Sequence, residues 1–532
     1  MLNSKALDSD MDIRIERRRK ELWIDRSNGE RLHGLTCGGA FCKDIRTNFG
    51  TTDRLYPRAT VGTYPRTTLH DDVLLKIFIF YVNNGYDEDD WHTLVHVCQT
   101  WRNVVFASPR RLRLRLLCTQ GRAAKDMLDV WPALPILVKE HYFNLQLQGL
   151  NNVIDALTHN DLICEINIQA VPSLLLEGIA TVKEPFAALT SLALQSMDES
   201  PPALPDSFFG GFVPRLRELS FDGIPSPAVG KLLLSANDLV TLRLWNIPHS
   251  GYIAPEEMVT SLSTLIKLES LVLGFRSPLP RTDRDLESQH PPLSTRVVLP
   301  ALTSFHFKGD SEYLEDIIAR IDAPLLDTIT IRFFHQLIFD TPRLRDFIRQ
   351  TGKFNAPHRL DVDFSRFRCR VTLYRKSGSA HHKTLELGVS CAASDWQLSS
   401  LIDVCGSSLP PLPSLERLDI REGGVSQPRW RYAVDGEQWV ELLRPFDTVK
   451  TLEISETFVG RVAPALKILG RRERATEVLP VLQDIFLEGP EPPAPVQEAI
   501  GQFVAVRQLS GQPVAIHHRE RRRWWHMRGE IY

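Results

Sequence analysis

The first hydrophobic pattern along the chain is helical. In "TLHDDVLLKIFIFYV" (68–82) the apolar side chains recur three and four positions apart, which predicts one face of an α-helix. Asp71 and Asp72 precede that face and suit the positive end of a helix, as a cap or as first-turn acids. The residues of the face are Val73, Leu74, Ile77, Phe78, Tyr81 and Val82.

A second apolar run follows the turn-forming stretch "NNGYDEDD" (83–90). Pro109 has no backbone N–H and disfavours helix at the residue before it, so we expect the run to end there. Together the two runs are too short for a sizeable core of their own, so residues 67–118 need a further surface to pack on. The second run begins near Trp91, and its stripe consists of Leu94, Val97, Cys98 and Trp101.

From about residue 119 the pattern changes to short alternating segments. A motif of the form L-x-x-L-x-L, with substitutions, recurs from "ICEINI" (163–168) to "LQDIFL" (482–487), and its successive copies lie roughly 23 to 34 residues apart. Weaker copies lie at 360–364 and 384–389. Alternating apolar positions predict a short strand with one face directed inward.

Amphipathic stretches separate these predicted strands, for example "PEEMVTSLSTLI" (255–266), and predict helices. One strand and one helix per unit of this length is the arrangement of a leucine-rich-repeat solenoid, whose units stabilise each other by stacking. The repeats are irregular, so we predict an α/β fold with a distorted, leucine-rich-repeat-like solenoid over residues 119–516. A doubly wound α/β sheet is the alternative. Prolines fit the corners before several strands, at Pro214, Pro300, Pro324, Pro413 and Pro480.

The two ends of the chain differ from the rest. Residues 1–66 lack sustained periodicity and are predicted to be a disordered or loosely ordered leader. Residues 517–532, "HHRERRRWWHMRGEIY", form a basic tail in which Arg and Trp could stack on bases or recruit a partner. A solvated tail whose Trp524 and Trp525 pack on the last repeat is the favoured interpretation.

Composition narrows the class of protein. A net charge of −2 over 532 residues does not indicate an electrostatic nucleic-acid binder. The sequence has no apolar run long enough to span a membrane and no apolar N-terminal signal region. Its eight cysteines are sparse. We therefore expect a cytoplasmic or nuclear protein that does not insert into a membrane.

Catalytic and metal-binding motifs are not present in the sequence. There is no phosphate loop, no nucleophile elbow and no H-E-x-x-H pair. His92 and His96 have metal-compatible spacing but lack further ligands, and Cys37 and Cys42 have no second pair at zinc spacing. The pairs 381–382 and 517–518 are read as surface histidines in loop-like sequence. We predict a non-enzyme without catalytic, cofactor-binding or metal-binding residues, and a hidden hydrolase or transferase is disfavoured.

The helical segment resembles an F-box. The segment "LHDDVLLKIF", the following "LVHVCQTWRNVV" and the downstream "FASPRRLRLRLLCT" and "WPALPI" look most like the fungal F-box proteins, over about residues 67–518. The resemblance implies a three-helix unit that docks on a Skp-type adaptor and, through it, on cullin and RING subunits. One position departs from the family pattern, because His70 stands where the family has proline. The adaptor-facing residues implied by position are Leu69, Val73, Leu74, Ile77, Phe78, Val97, Cys98 and Trp101.

The function implied by the resemblance is that of a substrate-recognition subunit of an SCF-type ubiquitin ligase, with the solenoid binding a protein target. Two alternatives stay open at this point. The chain could be an adaptor-binding scaffold without a role in ubiquitination, or the helical segment could be only the N-terminal cap of the solenoid, with its apolar residues facing inward. Candidate target-contacting residues on the solenoid are Trp245, Phe275, Arg332, Arg421 and Glu422, and a place in the core is an equally good interpretation for Trp245 and Phe275.

Overall fold

The computed structural model describes residues 69–519 except 85–88, 141–146, 170, 228, 279–295, 337–338, 355, 378–379, 424–427, 429, 431–434 and 472–475. The chain divides into two compact units, Met1–Leu69 and His70–Tyr532. The predicted leader 1–66, including Cys37 and Cys42, lies outside the described residues, as does the chain from residue 520 on. Within the described part, no helix combines the length and the apolar character that crossing a membrane requires.

Three helices open the second unit: α1 (Asp71–Asn84), α2 (Trp91–Val95) and α3 (Gln99–Ala107). The helical stripe read through Leu94, Val97, Cys98 and Trp101 does not lie on one helix, because the second apolar run forms two. Cys98 is extended (φ −161°, ψ 169°), and its carbonyl oxygen accepts from the N–H of Arg102 at 3.1 Å, so it starts a new helix. The last of the three helices ends two residues before Pro109, as predicted.

The fold as a whole is mixed α/β, with a large and mostly parallel sheet. The strands are β1 (Leu116–Cys118), β2 (Ile136–Glu140), β3 (Ile163–Ile168), β4 (Ser191–Gln195), β5 (Glu218–Asp222), β6 (Thr241–Ile247), β7 (Ser270–Phe275), β8 (Val297–Val298), β9 (Ser304–Gly309), β10 (Ile321–Asp322), β11 (Thr328–Phe334), β12 (Arg359–Ser365), β13 (Arg368–Ser377), β14 (Ala380–Ser390), β15 (Arg417–Glu422), β16 (Thr451–Ile454), β17 (Asp484–Glu488) and β18 (Ala515–Arg519). The further helices are α4 (Ala124–Leu128), α5 (Leu147–Leu157), α6 (Ser173–Ala180), α7 (Val229–Ser235), α8 (Pro255–Leu262), α9 (Ser311–Ile318), α10 (Pro342–Gln350), α11 (Gln397–Ser408), α12 (Gly436–Leu443), α13 (Glu456–Leu469) and α14 (Ala494–Leu509).

The strands of the large sheet lie side by side almost in chain order. Strands β1 to β7, then β9 and β11, pair in parallel with their predecessors, and β15 to β18 continue the same way. Along most strands buried and half-buried residues alternate, as in β4, so one sheet face packs on the helices. From α7 to α14, each helix packs against the next. A doubly wound sheet, with helices on both faces and a reversal of strand order, does not fit this arrangement.

An antiparallel insertion interrupts the parallel order. Across the sheet, β11 is followed in space by β14, β13, β12 and then β15. The three inserted strands, β12 to β14, form an antiparallel meander. The weak motif copies at 360–364 and 384–389 fall on β12 and β14, whereas β13 was not predicted. The sheet also begins at Leu116 and extends to Arg519, so it takes in residues that the sequence assigned to the helical segment and to the basic tail.

Candidate functional site

Helix α1 has one face that packs against its neighbours. Leu74, Leu75 and Phe78 are buried, and the ring of Phe78 lies 4.8 Å from the ring of Trp101, centroid to centroid. The hydroxyl of Tyr81 forms a 3.1 Å hydrogen bond with that of Thr93, which ties α1 to α2. These contacts account for one apolar face of α1.

The other apolar face of α1 has no cover among the described residues. Val73 is 44% exposed, Ile77 46%, Tyr81 42% and Phe80 71%, and their spacing places them along one side of the helix. We call these four residues the α1 stripe. A water-facing helix surface is normally polar, and a helix that is apolar all round is normally buried.

The link between α2 and α3 also exposes apolar residues. Val97 is 58% exposed, and Cys98 is exposed beside it. Because the chain leaves the helical path at Cys98, the link residues turn away from the core formed by Trp91, Leu94 and Val95. Exposed apolar groups on both α1 and this link are typical of a surface that binds a partner.

The residues implied by the F-box resemblance therefore divide into three groups. Leu69, Val73, Ile77, Val97 and Cys98 are exposed, Trp101 is partly buried, and Leu74 and Phe78 are buried in the helical core. Leu69 belongs to the first compact unit and is not counted in the α1 stripe. The cap-only alternative required all of these residues to face inward, which the five exposed side chains do not do. Leu74 and Phe78 are buried beneath the exposed residues. Phe80 is exposed on the same helix but was not among the predicted residues.

His70 lies just before α1. Its carbonyl oxygen accepts hydrogen bonds from the N–H groups of Val73 at 2.9 Å and Leu74 at 3.1 Å, and so closes the first helical turn. Its side chain is 81% exposed and lies 3.6 Å from the carboxylate of Asp72. The role of His70 in the helix is therefore carried by its backbone carbonyl, which proline also has.

The sheet face turned away from the helices is the second candidate surface. Its side chains come from alternate strand positions and form rows across the strands, because residues in register lie side by side. One such row runs from Arg243 on β6 through Val272 on β7 and His306 on β9 to Thr330 on β11. The row continues across the antiparallel insertion to Asp361, Asp419 and Glu453.

Arginines and carboxylates alternate on the part of this face formed by β12 to β16. We call this part the ion network; its members are Arg359, Asp361, Asp363, Arg370, Glu386, Arg417, Asp419, Arg421 and Glu453. At its centre Asp361 accepts from Arg359 at 2.7 Å and also pairs with Arg421. The carboxylates are buried, with side-chain exposures of 1% for Asp361 and 5% for Asp363, so pairing is what makes their burial possible.

The predicted target-contacting residues lie in two different environments, the strands of the sheet and the hydrophobic core. Trp245, Arg332, Arg421 and Glu422 are half-buried on the strands, and Arg421 belongs to the ion network. Phe275 is 3% exposed, and its ring packs 4.7 Å from that of Tyr313, so of the two interpretations left open for it the core position is the one observed.

The histidine pairs are not loop residues as predicted. His381 lies on β14 and stacks on His358, and His517 lies on β18, 2.7 Å from Asp484. In the helical segment, the ring of His92 stacks on that of Trp131 at 5.0 Å. No cluster of His, Cys, Asp and Glu with the geometry of a metal site occurs in the described part of the chain.

His306 is half-buried in the middle of the sheet face, and its buried Nε2 atom has no hydrogen-bond partner in the part of the chain that the structure describes. Burial lowers the pKa of His306 from 6.5 to about 4; the charge of Arg332 acts in the same direction and that of Glu386 in the opposite one. The other charged neighbours that affect it are Lys383 and Arg243, which both lower it. The ring is therefore neutral at pH 7.

Acidification should cost stability through His306. Between pH 6.5 and about 4 the unfolded chain binds a proton that the folded chain does not bind, so the free energy of unfolding falls as the pH falls. At about 1.4 kcal/mol per pKa unit, the loss approaches about 3 kcal/mol. Urea titrations should show that the free energy of unfolding of His306→Gln falls less between pH 6.5 and about 4 than that of the wild type. Parallel pH profiles for the two proteins would contradict the assignment.

Comparison with protein-family models finds no match to the chain, and comparison with curated protein sequences finds none either.

Proposed function

We propose that the chain is a substrate-recognition subunit of an SCF-type ubiquitin ligase. In this proposal the helical segment is an F-box that binds a Skp-type adaptor, and the repeats form a leucine-rich-repeat-like solenoid that binds a protein target. The adaptor links the chain to cullin and RING subunits. The chain itself would perform no chemistry, and the complex would act in the cytoplasm or the nucleus.

The observation that carries the proposal is the α1 stripe. Helix α1 buries Leu74 and Phe78 in its own segment and still exposes Val73, Ile77 and Phe80 on another side. Full burial of such a side chain is worth roughly 1.5–3 kcal/mol relative to full exposure, so Val73 and Ile77, which are about half exposed, would gain roughly half of that from a partner. A docking partner explains why both sides of the helix are apolar, and the F-box resemblance says which kind of partner to test.

The large sheet supports the second half of the proposal. Strand–helix units that stack in chain order leave one long sheet face uncovered by helices, and such surfaces serve solenoid proteins for binding. Catalysis would then depend on proximity. Holding a target lysine near the ubiquitin thioester carried by another subunit raises its effective concentration.

The proposal is tested by asking whether a bound target is ubiquitinated. The full chain should co-purify with a Skp-type adaptor, and proteins captured with the pair should become longer-lived when the chain is depleted. An adaptor complex without any target whose ubiquitination or half-life depends on the chain would favour the scaffold alternative. Absence of adaptor binding at micromolar concentrations would contradict both.

His70→Pro should leave adaptor binding unchanged or strengthen it. The backbone N–H of His70 makes no hydrogen bond in the described structure, its carbonyl remains available in proline, and proline pre-sets φ ahead of a helix. Isothermal titration of the adaptor into both proteins measures the effect. A clear loss of affinity would mean that the F-box register assigned to residues 69–78 is wrong.

A further inference from the structure

Four cations gather on the sheet face formed by β6, β7, β9 and β11. We call them the cationic cluster: Arg243 on β6, Arg276 directly after β7, Lys308 on β9 and Arg332 on β11. Trp245 lies among them, with its ring centroid 5.3 Å from the guanidinium carbon of Arg243 and 5.5 Å from Nζ of Lys308. A Cβ at Gly274 would overlap this ring, so the glycine on the next strand makes room for it.

The cluster is electrostatically unfavourable by itself. Lys308 and Arg332 are directly opposite each other on adjacent strands, and like charges in that position destabilise a sheet. Burial lowers the pKa of Lys308, and the neighbouring Arg332 and Arg276 lower it further. Among the residues that the structure describes, no carboxylate lies within 4.0 Å of a charged nitrogen of Arg243, Arg276 or Lys308.

Two nearby carboxylates offset only part of this charge. Asp222, which favours the charged form of Lys308, accepts a 2.8 Å hydrogen bond from Asn246. Glu386 lies 3.3 Å from Lys383 and 3.6 Å from Arg370. Arg276 donates to the backbone carbonyl of Glu199 at 2.8 Å, which holds its guanidinium in place without neutralising it.

The ion network on the same sheet face gives the contrast. There each arginine faces at least one carboxylate: Arg359 faces Asp361 and Asp419, and Arg370 faces Asp363. Where the fold uses arginines for structure on this face, it also supplies the acids. Arg243, Arg276 and Lys308 do not follow that rule among the described residues, which indicates that a ligand supplies the missing negative charge.

We propose that the cationic cluster binds an acidic segment of a protein target, with several carboxylates spread along an extended peptide. The inference rests on the proposed function and names the kind of target that the solenoid would recognise. The cations lie on neighbouring strands or, for Arg276, directly after one, which spreads them over roughly 14 Å, so they suit a row of carboxylates better than one compact anion. The Trp245 ring already contacts Gly274, Arg243 and Lys308 and is not free to stack on a nucleic-acid base.

The test uses the full chain and four fluorescein-labelled probes. The first is a peptide of about ten alternating Glu and Ser residues, long enough to cross the cluster. The second has Gln in place of every Glu, the third carries one phosphoserine, and the fourth is a single-stranded oligonucleotide of the same net charge. Fluorescence anisotropy measures binding to the wild type, to Arg243→Gln/Lys308→Gln, and to Lys125→Gln/Lys467→Gln. The last pair is the matched control, because both lysines are exposed on α4 and α13.

The Glu peptide should bind the wild type and the control equally, and more weakly at high salt. The Gln peptide should not bind. The Arg243→Gln/Lys308→Gln variant should lose about tenfold or more in affinity, as expected when charged hydrogen bonds are removed. Equal binding by this variant, no binding by the wild type, or tighter binding of the phosphoserine peptide or the oligonucleotide would overturn the proposal.

Adaptor co-purification of the same preparations separates the two proposals. Peptide binding without adaptor binding supports the acidic-peptide site and overturns the receptor function. Adaptor binding without peptide binding overturns the acidic-peptide site and leaves the receptor function standing. Retained adaptor binding by Arg243→Gln/Lys308→Gln, with an unchanged circular dichroism spectrum, excludes misfolding as the cause of a lost peptide complex.

Discussion

The double substitution Ile77→Asp/Val97→Asp should abolish co-purification of the chain with a Skp-type adaptor. Both side chains are about half exposed, so the charges stay in water in the free protein, and the loss of their buried apolar area should cost only about 1–2 kcal/mol of stability. In a docked complex each carboxylate would be buried without a partner. If each position contributes about 2 kcal/mol, as central interface residues do, affinity falls by about a thousandfold.

Leu174→Asp/Leu234→Asp is the matched control. These leucines are 65% and 52% exposed on α6 and α7, so the chemical change is the same on helices outside the helical segment. Pull-down and isothermal titration should show wild-type adaptor binding for the control. Equal loss in both double variants would mean that any exposed charge disrupts the complex, and undiminished binding by Ile77→Asp/Val97→Asp would exclude these two residues from the docking surface.

Asp361→Asn should destabilise the sheet by about 3–5 kcal/mol. The side chain of Asp361 is 1% exposed and forms ion pairs with Arg359 and Arg421. The amide keeps the shape but removes the charge, which leaves two partly buried guanidinium groups with fewer counter-charges. Urea denaturation followed by circular dichroism measures the change in the midpoint and in the free energy of unfolding.

The control for this substitution is an exposed ion pair elsewhere in the fold. Asp206 pairs with Lys231, with side-chain exposures of 65% and 62%, so Asp206→Asn should cost less than about 1 kcal/mol. A loss for Asp361→Asn no larger than that for Asp206→Asn would show that the ion network is not a structural element of the sheet.

The sequence predicted which segments form strands better than how the strands are ordered. Alternation in "LTSLAL" places Leu192 and Leu194 in the core because one sheet face must be apolar, and both are buried. The same alternation occurs in β13, where Cys369, Val371 and Leu373 are buried, but this strand does not carry the L-x-x-L-x-L motif. Alternation also carries no information on strand direction, so the antiparallel meander was not predictable from it.

The candidate docking surface was predictable only in part for a related reason. Helix α1 is apolar on two sides, and the spacing of Ile77 and Phe78 does not tell which of the two faces the core. Tertiary packing decides this: Phe78 meets Trp101, and Ile77 stays in water. Likewise, Val97 and Cys98 continue the apolar stripe of the second run. Their hydrophobic character therefore gave no sign that the helix breaks at Cys98.

Hydrogen–deuterium exchange of the full chain, with and without a Skp-type adaptor, tests the docking surface most directly. We expect new protection of backbone amides within residues 71–84 and 96–101, with the strands of the large sheet unchanged, because a partner on the α1 stripe would suppress local opening there. Unchanged exchange within residues 71–84 and 96–101 at saturating adaptor, or protection confined to the sheet, would contradict the proposed docking surface.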